Sequence, residues 1–140
     1  MDTALDNSDF GPHWLREPRV AAAVVDGILY GCSILHLFAL HAFVVMPNHV
    51  HISITPHSPI RRITNGPKGS TARQANRILR RTARPFWQDE SYDHWVRDEH
   101  EFNRICSYIE WNPVFAALVA RPQDWPWSSL ARQFQHSLQQ

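Results

Sequence analysis

The sequence predicts an α+β domain, and three observations carry that expectation. Val20, Val24, Val25 and Ile28 recur at helical spacing. From His49 to Thr55 the residues alternate like a strand, with Val50, Ile52 and Ile54 on one side and His49, His51, Ser53 and Thr55 on the other. After Asp98 the helical period returns in Phe102, Ile105, Cys106 and Ile109. With 140 residues, 44% of them hydrophobic, the chain fits one domain, 1–140, with a sizeable core.

Residues 1–9 are polar and are expected to be disordered. Glu17-Pro18 opens the first helix, because proline is favoured at the first helical position, and Gly31 offers its stop. The stretch Gly27–Met46 carries no formal charge and has about the length of a membrane span. His36, His41 and two glycines interrupt it and Pro47 ends it, so a helix end followed by a buried strand is expected, with no membrane partner. That strand lies between Ile34 and Met46. Met46-Pro47-Asn48 is the tight connection to the returning strand, since proline cannot continue a ladder and asparagine tolerates turn geometry.

Pro56 to Gly69 reads as a loop, and Ser70 as the cap of a helix running to about Ala83. Arg73, Arg77, Arg80, Arg81 and Arg84 fall along one stripe of that helix. Pro85 stops it, and the aromatic loop FWQDESYDHW follows. Asp98-x-x-Glu101 resembles a capping box and opens the next helix, which Pro113 should end at Asn112. A short apolar helix, Val114 to Ala120, and a Trp-rich segment with Trp125 and Trp127 come next, and 130–140 is a tail.

Net charge is only +1, but it is unevenly distributed. No acidic residue occurs between Asp26 and Asp89, where Arg61, Arg62, Lys68 and the arginine stripe lie. That local field suits a phosphate backbone; a solvated helix face is the ordinary alternative. Cys32 and Cys106 form no Cys-x-x-Cys pair, which excludes a disulfide scaffold and the usual zinc-ribbon spacings. A reducing cytoplasm is the expected location.

Two groups of residues could do chemistry. His49 and His51 share a strand face with side chains about 7 Å apart, a spacing at which two imidazoles can share one metal ion. Two exposed strand histidines without a function are the ordinary alternative, and two imidazoles leave a metal site incomplete. Tyr108 and Asn112 sit one above the other at the edge of a helix's apolar face, which suits a hydroxyl offered to a cleft beside an amide oxygen. A boundary tyrosine and an asparagine closing a helix are equally ordinary. Together with the basic stripe, these groups supply the nucleophile, the Lewis-acid site and the cations that phosphoryl transfer in a nucleic acid requires. No Gly-x-Ser-x-Gly elbow, phosphate-binding glycine loop or His-Glu-x-x-His offers a competing site.

The segment VVMPNHVHISITP resembles the HUH signature of single-tyrosine HUH transposases, and most closely the REP-associated tyrosine transposases. KGSTARQAN, FWQDESYDHWVRD, YIEWNPV and DWPWSS follow in the expected order, so the resemblance runs from about Phe10 to Ser129. It implies a ferredoxin-like antiparallel sheet with helices packed on it, as in HUH endonucleases. Relatives usually carry another strand before the segment resembling FGPHWLREPRV, so a sheet lacking that first strand is expected. FAALVA also stands where relatives more usually have Arg-Ala-Gly-Leu-Val.

The resemblance further implies that His49, His51 and Asn112 bind Mg²⁺ or Mn²⁺ and that Tyr108 attacks a phosphodiester of single-stranded DNA. The product would be a 5′-phosphotyrosine link and a free 3′-hydroxyl. Lys68, Arg73 and Arg77 are the expected contacts to single-stranded or hairpin DNA, with Trp95, Trp125 and Trp127 as weaker candidates that suit the core better. A monomer is expected, with a homodimer as the alternative. Two other functions remain open at this point. One is a decayed, N-terminally truncated transposase that holds hairpin DNA or RNA without cutting it. The other is a zinc hydrolase using His49, His51 and a further histidine.

Overall fold

The computed structural model describes residues 14–59, 61–63 and 98–135. Residues 1–13, with the question of a first strand, lie outside them. So do the predicted basic helix, the aromatic loop and Trp95.

A 3-10 turn, Trp14–Arg16, leads into α1, Pro18–Ser33. Glu17 caps α1: its carboxylate accepts from Arg19 N, and Pro18 stands at the first helical position as expected. The Arg19 guanidinium, hydrogen-bonded to the same carboxylate at 3.0 Å, holds Glu17 below the usual carboxylate range. Gly31 does not stop the helix. It is buried inside the last turn, and Ile34 N–H closes that turn on Tyr30 O at 3.0 Å. The chain instead reverses at His36, whose φ of 51° places it in the left-handed region.

Two antiparallel strands follow, β1 (Phe38–Val45) and β2 (Val50–Pro56). The charge-free stretch thus divides into the end of a helix and a buried strand. Among the described residues no helix is long and apolar enough to cross a membrane. Val44 pairs with His51 and Ala42 with Ser53, while Phe43 pairs with Ile52 and Val45 with Val50. Directly opposed residues share a face, so the hairpin has two distinct sides. The register shifts between Leu40 and Ala42, leaving His41 as an extra residue on β1.

One side packs on α1. Val20, Ala21, Val24 and Val25 meet Phe43 and Val45 there, with Val50, Trp127 and Phe134 closing around them. Phe43 is fully buried, and the Phe134 ring stands edge-on to it at 5.6 Å. Burial of a side chain of that size stabilises the fold by roughly 1.5–3 kcal/mol. Farther along the same side, Leu37, Phe38 and Ile63 form a second cluster. Residues 61–63 are helical rather than loop, because Arg62 and Ile63 N–H groups bond back to Pro59 O and Ile63 is buried.

The other side packs on α2, Glu99–Phe115. Asp98 caps it as expected, its carboxylate accepting from Glu101 N at 2.8 Å. Ile109 packs on Ala42, Val44 and Met46, with Ile105, Cys106 and Trp125 around it. Two expectations need correction at the C-terminal end. Pro113 lies inside α2 instead of ending it at Asn112, and 114–120 is no separate helix, since Val114 and Phe115 belong to α2 and turns follow. A proline so close to a helix end forgoes one backbone bond, and the full burial of the Pro113 ring offsets that loss. The helix ends in a Schellman motif: Leu118 N–H bonds to Pro113 O and Ala117 N–H to Val114 O, both at 2.9 Å.

The segment around Trp127 completes the sheet from the edge of β1 away from β2. Val45 N–H donates to Trp127 O at 2.8 Å, Ser129 N–H donates to Phe43 O at 3.0 Å, and Val44 bridges to Ser128. Trp125 Nε1 donates to Val45 O at 2.9 Å. Trp125 and Trp127 are therefore structural, the role their composition suited better than DNA contact.

Candidate metal and nucleophile site

The hairpin turn positions the two histidines. Met46 N–H bonds to His49 O at 2.8 Å and closes the turn, while Leu15 N–H holds Pro47 O at 2.9 Å from outside. The His49 and His51 rings meet edge to face, with centroids 4.7 Å apart. That is closer than the ideal strand repeat because His49 precedes β2, at the junction of turn and strand, where the backbone is not bound to the pleat. His51 is buried at 2% exposure, and the Nε2 atoms of both rings are buried.

Asn48 tunes this pair. Its Oδ1 accepts a hydrogen bond from His49 Nδ1 at 2.8 Å. A proton held on Nδ1 leaves the Nε2 lone pair as the ligand atom, the arrangement that metal-binding histidines use. Sequence reasoning passed over Asn48 except as a turn residue. Its place immediately before the first histidine was the available signal.

α2 brings the second candidate group to the same side of the sheet. Three contacts in succession fix this. The Phe102 ring stands edge-on to His41 at 5.0 Å, and His41 Nε2 lies 2.7 Å from Thr55 Oγ1. Farther along α2, Cys106 is hydrogen-bonded to the Ser53 side chain. Farther still, Ile109 reaches Val44, the residue opposite His51. The helix thus advances from Thr55 toward His51 as β2 runs back, and the residues after Ile109 lie at the histidine end. Tyr108 is half-buried at the edge of α2's packed face, as expected, with its ring 6.4 Å from that of Phe115. Asn112 is more buried than an edge position implies, at 9% exposure.

Burial sets the local electrostatics. Partial burial lowers the His41 pKa and raises that of Glu110. It also pushes the Cys106 thiol up, with the Ser53 hydrogen bond opposing and the Glu110 charge adding. A neutral Cys106 makes a poor nucleophile.

Among the described residues no group of three or more His, Cys, Asp or Glu side chains is placed to hold a metal ion. Asn112, buried on α2, carries an amide oxygen, a donor of a different kind from those groups. Two imidazoles and a neutral oxygen suit a divalent first-row ion or Mg²⁺ better than a cysteine-rich zinc centre. A zinc site using a third histidine has no support among these residues. Lys68, Arg73 and Arg77, expected to contact DNA, lie outside the described residues.

Comparison with known proteins follows the same span. A family model described as IS200-like transposase matches residues 25–112, which include both histidines, Tyr108 and Asn112. A Haemophilus influenzae protein provisionally assigned as a REP-associated tyrosine transposase is 36% identical over 47 residues, covering 34% of this chain and 27% of that protein. A second Haemophilus influenzae protein, of uncharacterized function, is 31% identical over 94 residues, covering 51% of this chain and 52% of its own length. The chain thus spans about a quarter and about half of these two relatives. Among solved structures, a REP-associated tyrosine transposase bound to a REP hairpin superposes with a TM-score of 0.63 at 19% identity, covering 92% of this chain and 74% of that one. The likeness is one of fold: an α+β arrangement with helices packed on an antiparallel sheet.

Proposed function

The chain belongs to the IS200-like transposase family, and from that premise we propose that it cleaves and rejoins single-stranded DNA through Tyr108. The observation supporting this reading is that the helix carrying Tyr108 and Asn112 packs on the sheet face that carries His51. Phosphoryl transfer first requires positioning, and a helix bearing a tyrosine packed on the face that bears a histidine pair supports the reading that this sheet supplies it.

In the proposed reaction the Tyr108 hydroxyl oxygen attacks the scissile phosphorus. The bond from phosphorus to the 3′ oxygen breaks, and a 5′-phosphotyrosine link and a free 3′-hydroxyl result. An unperturbed phenol titrates near 10, so its proton must leave to water as the new bond forms. The 3′ oxygen takes up a proton in turn. Rejoining is the reverse attack by a 3′-hydroxyl, and the energy of the broken bond is retained in the ester. His49, His51 and Asn112 would hold Mg²⁺ or Mn²⁺, whose chemistry there is Lewis-acid polarisation of the phosphate oxygens. Asn48 holds the His49 ring in the ligating tautomer. Lys68, Arg73 and Arg77 would follow the DNA backbone, and a hairpin-bearing strand is the proposed substrate, as a hairpin is bound to the solved relative.

Incubation with hairpin-bearing single strands and Mn²⁺ tests the proposal. The expected result is a covalent protein–DNA adduct on a denaturing gel, lost in Tyr108→Phe. An adduct of undiminished yield from that variant overturns the role of Tyr108 and turns attention to Tyr92. Salt-sensitive hairpin binding without any adduct would identify a module that holds DNA and does not cut it.

A further inference from the structure

One flank of α2 bears a stripe of which the proposed chemistry uses Tyr108 alone. Arg104, Tyr108, Trp111 and Phe115 follow one another at intervals of four, three and four residues, which places them along a single stripe. Arg104 is exposed, Tyr108 half-buried, Trp111 43% exposed and Phe115 68% exposed. No other large apolar side chain among the described residues is as open as Phe115. Exposing two aromatic rings beside a tyrosine forgoes the burial that such rings usually contribute, so the stripe calls for an occupant.

The Phe115 ring lies 6.4 Å from the Tyr108 ring and is tilted 37° to it. An aromatic surface therefore continues directly from the candidate nucleophile. Its other end is a guanidinium, and the stripe spans about 16 Å at the helical rise. A cation followed by open aromatic rings is what a single strand of nucleic acid requires: charge for a phosphate and flat faces for unpaired bases. A second copy of this chain suits it less well, because Arg104 and the exposed Ser107 interrupt the apolar surface that helix pairing needs.

We infer that Phe115, with Trp111 beside it, is a stacking platform that holds an unpaired base next to the phosphate presented to Tyr108. The inference rests on the transposase reading for the identity of its ligand, though not for the geometry of the stripe. It makes Phe115 a positioning residue: stacking fixes the strand, and Tyr108 does the chemistry. Because every base offers a flat face, the platform favours single strands over duplexes without choosing a sequence.

The test uses the full chain carrying Tyr108→Phe, so that covalent capture makes no contribution, and a single strand of about twenty nucleotides carrying 2-aminopurine, with its duplex as control. Binding should quench the probe's fluorescence. Adding Phe115→Ala should weaken single-strand binding about tenfold and abolish the quench, leave duplex binding unchanged, and be rescued by Phe115→Trp. Unaltered binding and quench in Phe115→Ala overturn the inference. So does an equal loss on duplex, or a loss accompanied by a change of oligomeric state on size-exclusion chromatography, which would assign Phe115 to a self-contact. The two readings fail separately. Adduct formation by the wild type with Phe115-insensitive binding rejects only the platform. Phe115-dependent stacking with no wild-type adduct upholds the platform and rejects cleavage.

Discussion

Asn48 Oδ1 accepts the Nδ1 proton of His49 across 2.8 Å, so a residue within the hairpin turn also orients the first residue of the proposed metal site. The turn and the site are consequently one structure. A residue that fixes a ligand's tautomer without touching the metal controls affinity through the ligand's orientation and basicity.

Removal of Asn48 should therefore weaken metal binding without unfolding the hairpin. Asn48→Ala is expected to lower Mn²⁺ affinity about 10–100-fold, read by calorimetric titration, while far-UV circular dichroism stays unchanged. Asn48→Asp, which also offers an acceptor, should retain most of it. An unchanged Mn²⁺ affinity in Asn48→Ala would mean that the 2.8 Å contact has no part in ligation.

Trp125 makes a prediction of the opposite kind, on stability rather than function. Its Nε1 donates to Val45 O at 2.9 Å from within the cluster around Ile109. Trp125→Phe keeps most of the apolar area and leaves that carbonyl one donor short, at a cost of about 1–2 kcal/mol. A lower denaturation midpoint with unaltered DNA binding is expected. Weakened DNA binding at undiminished stability would return Trp125 to the list of DNA contacts.

How much of this was legible in the chain depends on how local the governing physics is. The hairpin could be read directly, because the pleat imposes a period of two and Val50–Thr55 obey it. The Asp98 cap was equally legible, since the side chain and the N–H it binds are three residues apart. The continuation of α2 through Pro113 was not, because what offsets the lost bond is the burial of the ring in the folded chain, which local sequence does not reveal. Nor was the pairing of Trp127 and Ser129 with β1: Pro126 breaks any strand pattern there, and the bonds close across more than eighty residues. At the site, residue types and faces were readable from spacing. The close approach of the two rings and the Asn48 contact belong to turn geometry, which spacing does not encode.

Ala117 carries the last prediction. It stands at φ 59°, in the left-handed position of the Schellman motif that ends α2. A Cβ there meets the following carbonyl and costs about 1–2 kcal/mol, whereas glycine meets no such penalty. Against this, glycine frees the unfolded chain and returns part of the gain. Ala117→Gly should still stabilise the protein by about 0.5–1 kcal/mol, raising the melting temperature by about 2–4 °C. The effect reaches the site because Ala116 N–H bonds to Asn112 O at 3.0 Å, so the same motif that ends the helix steadies the backbone of the proposed third ligand. A melting temperature that stays the same or falls in Ala117→Gly would show that the strained cap costs the fold nothing.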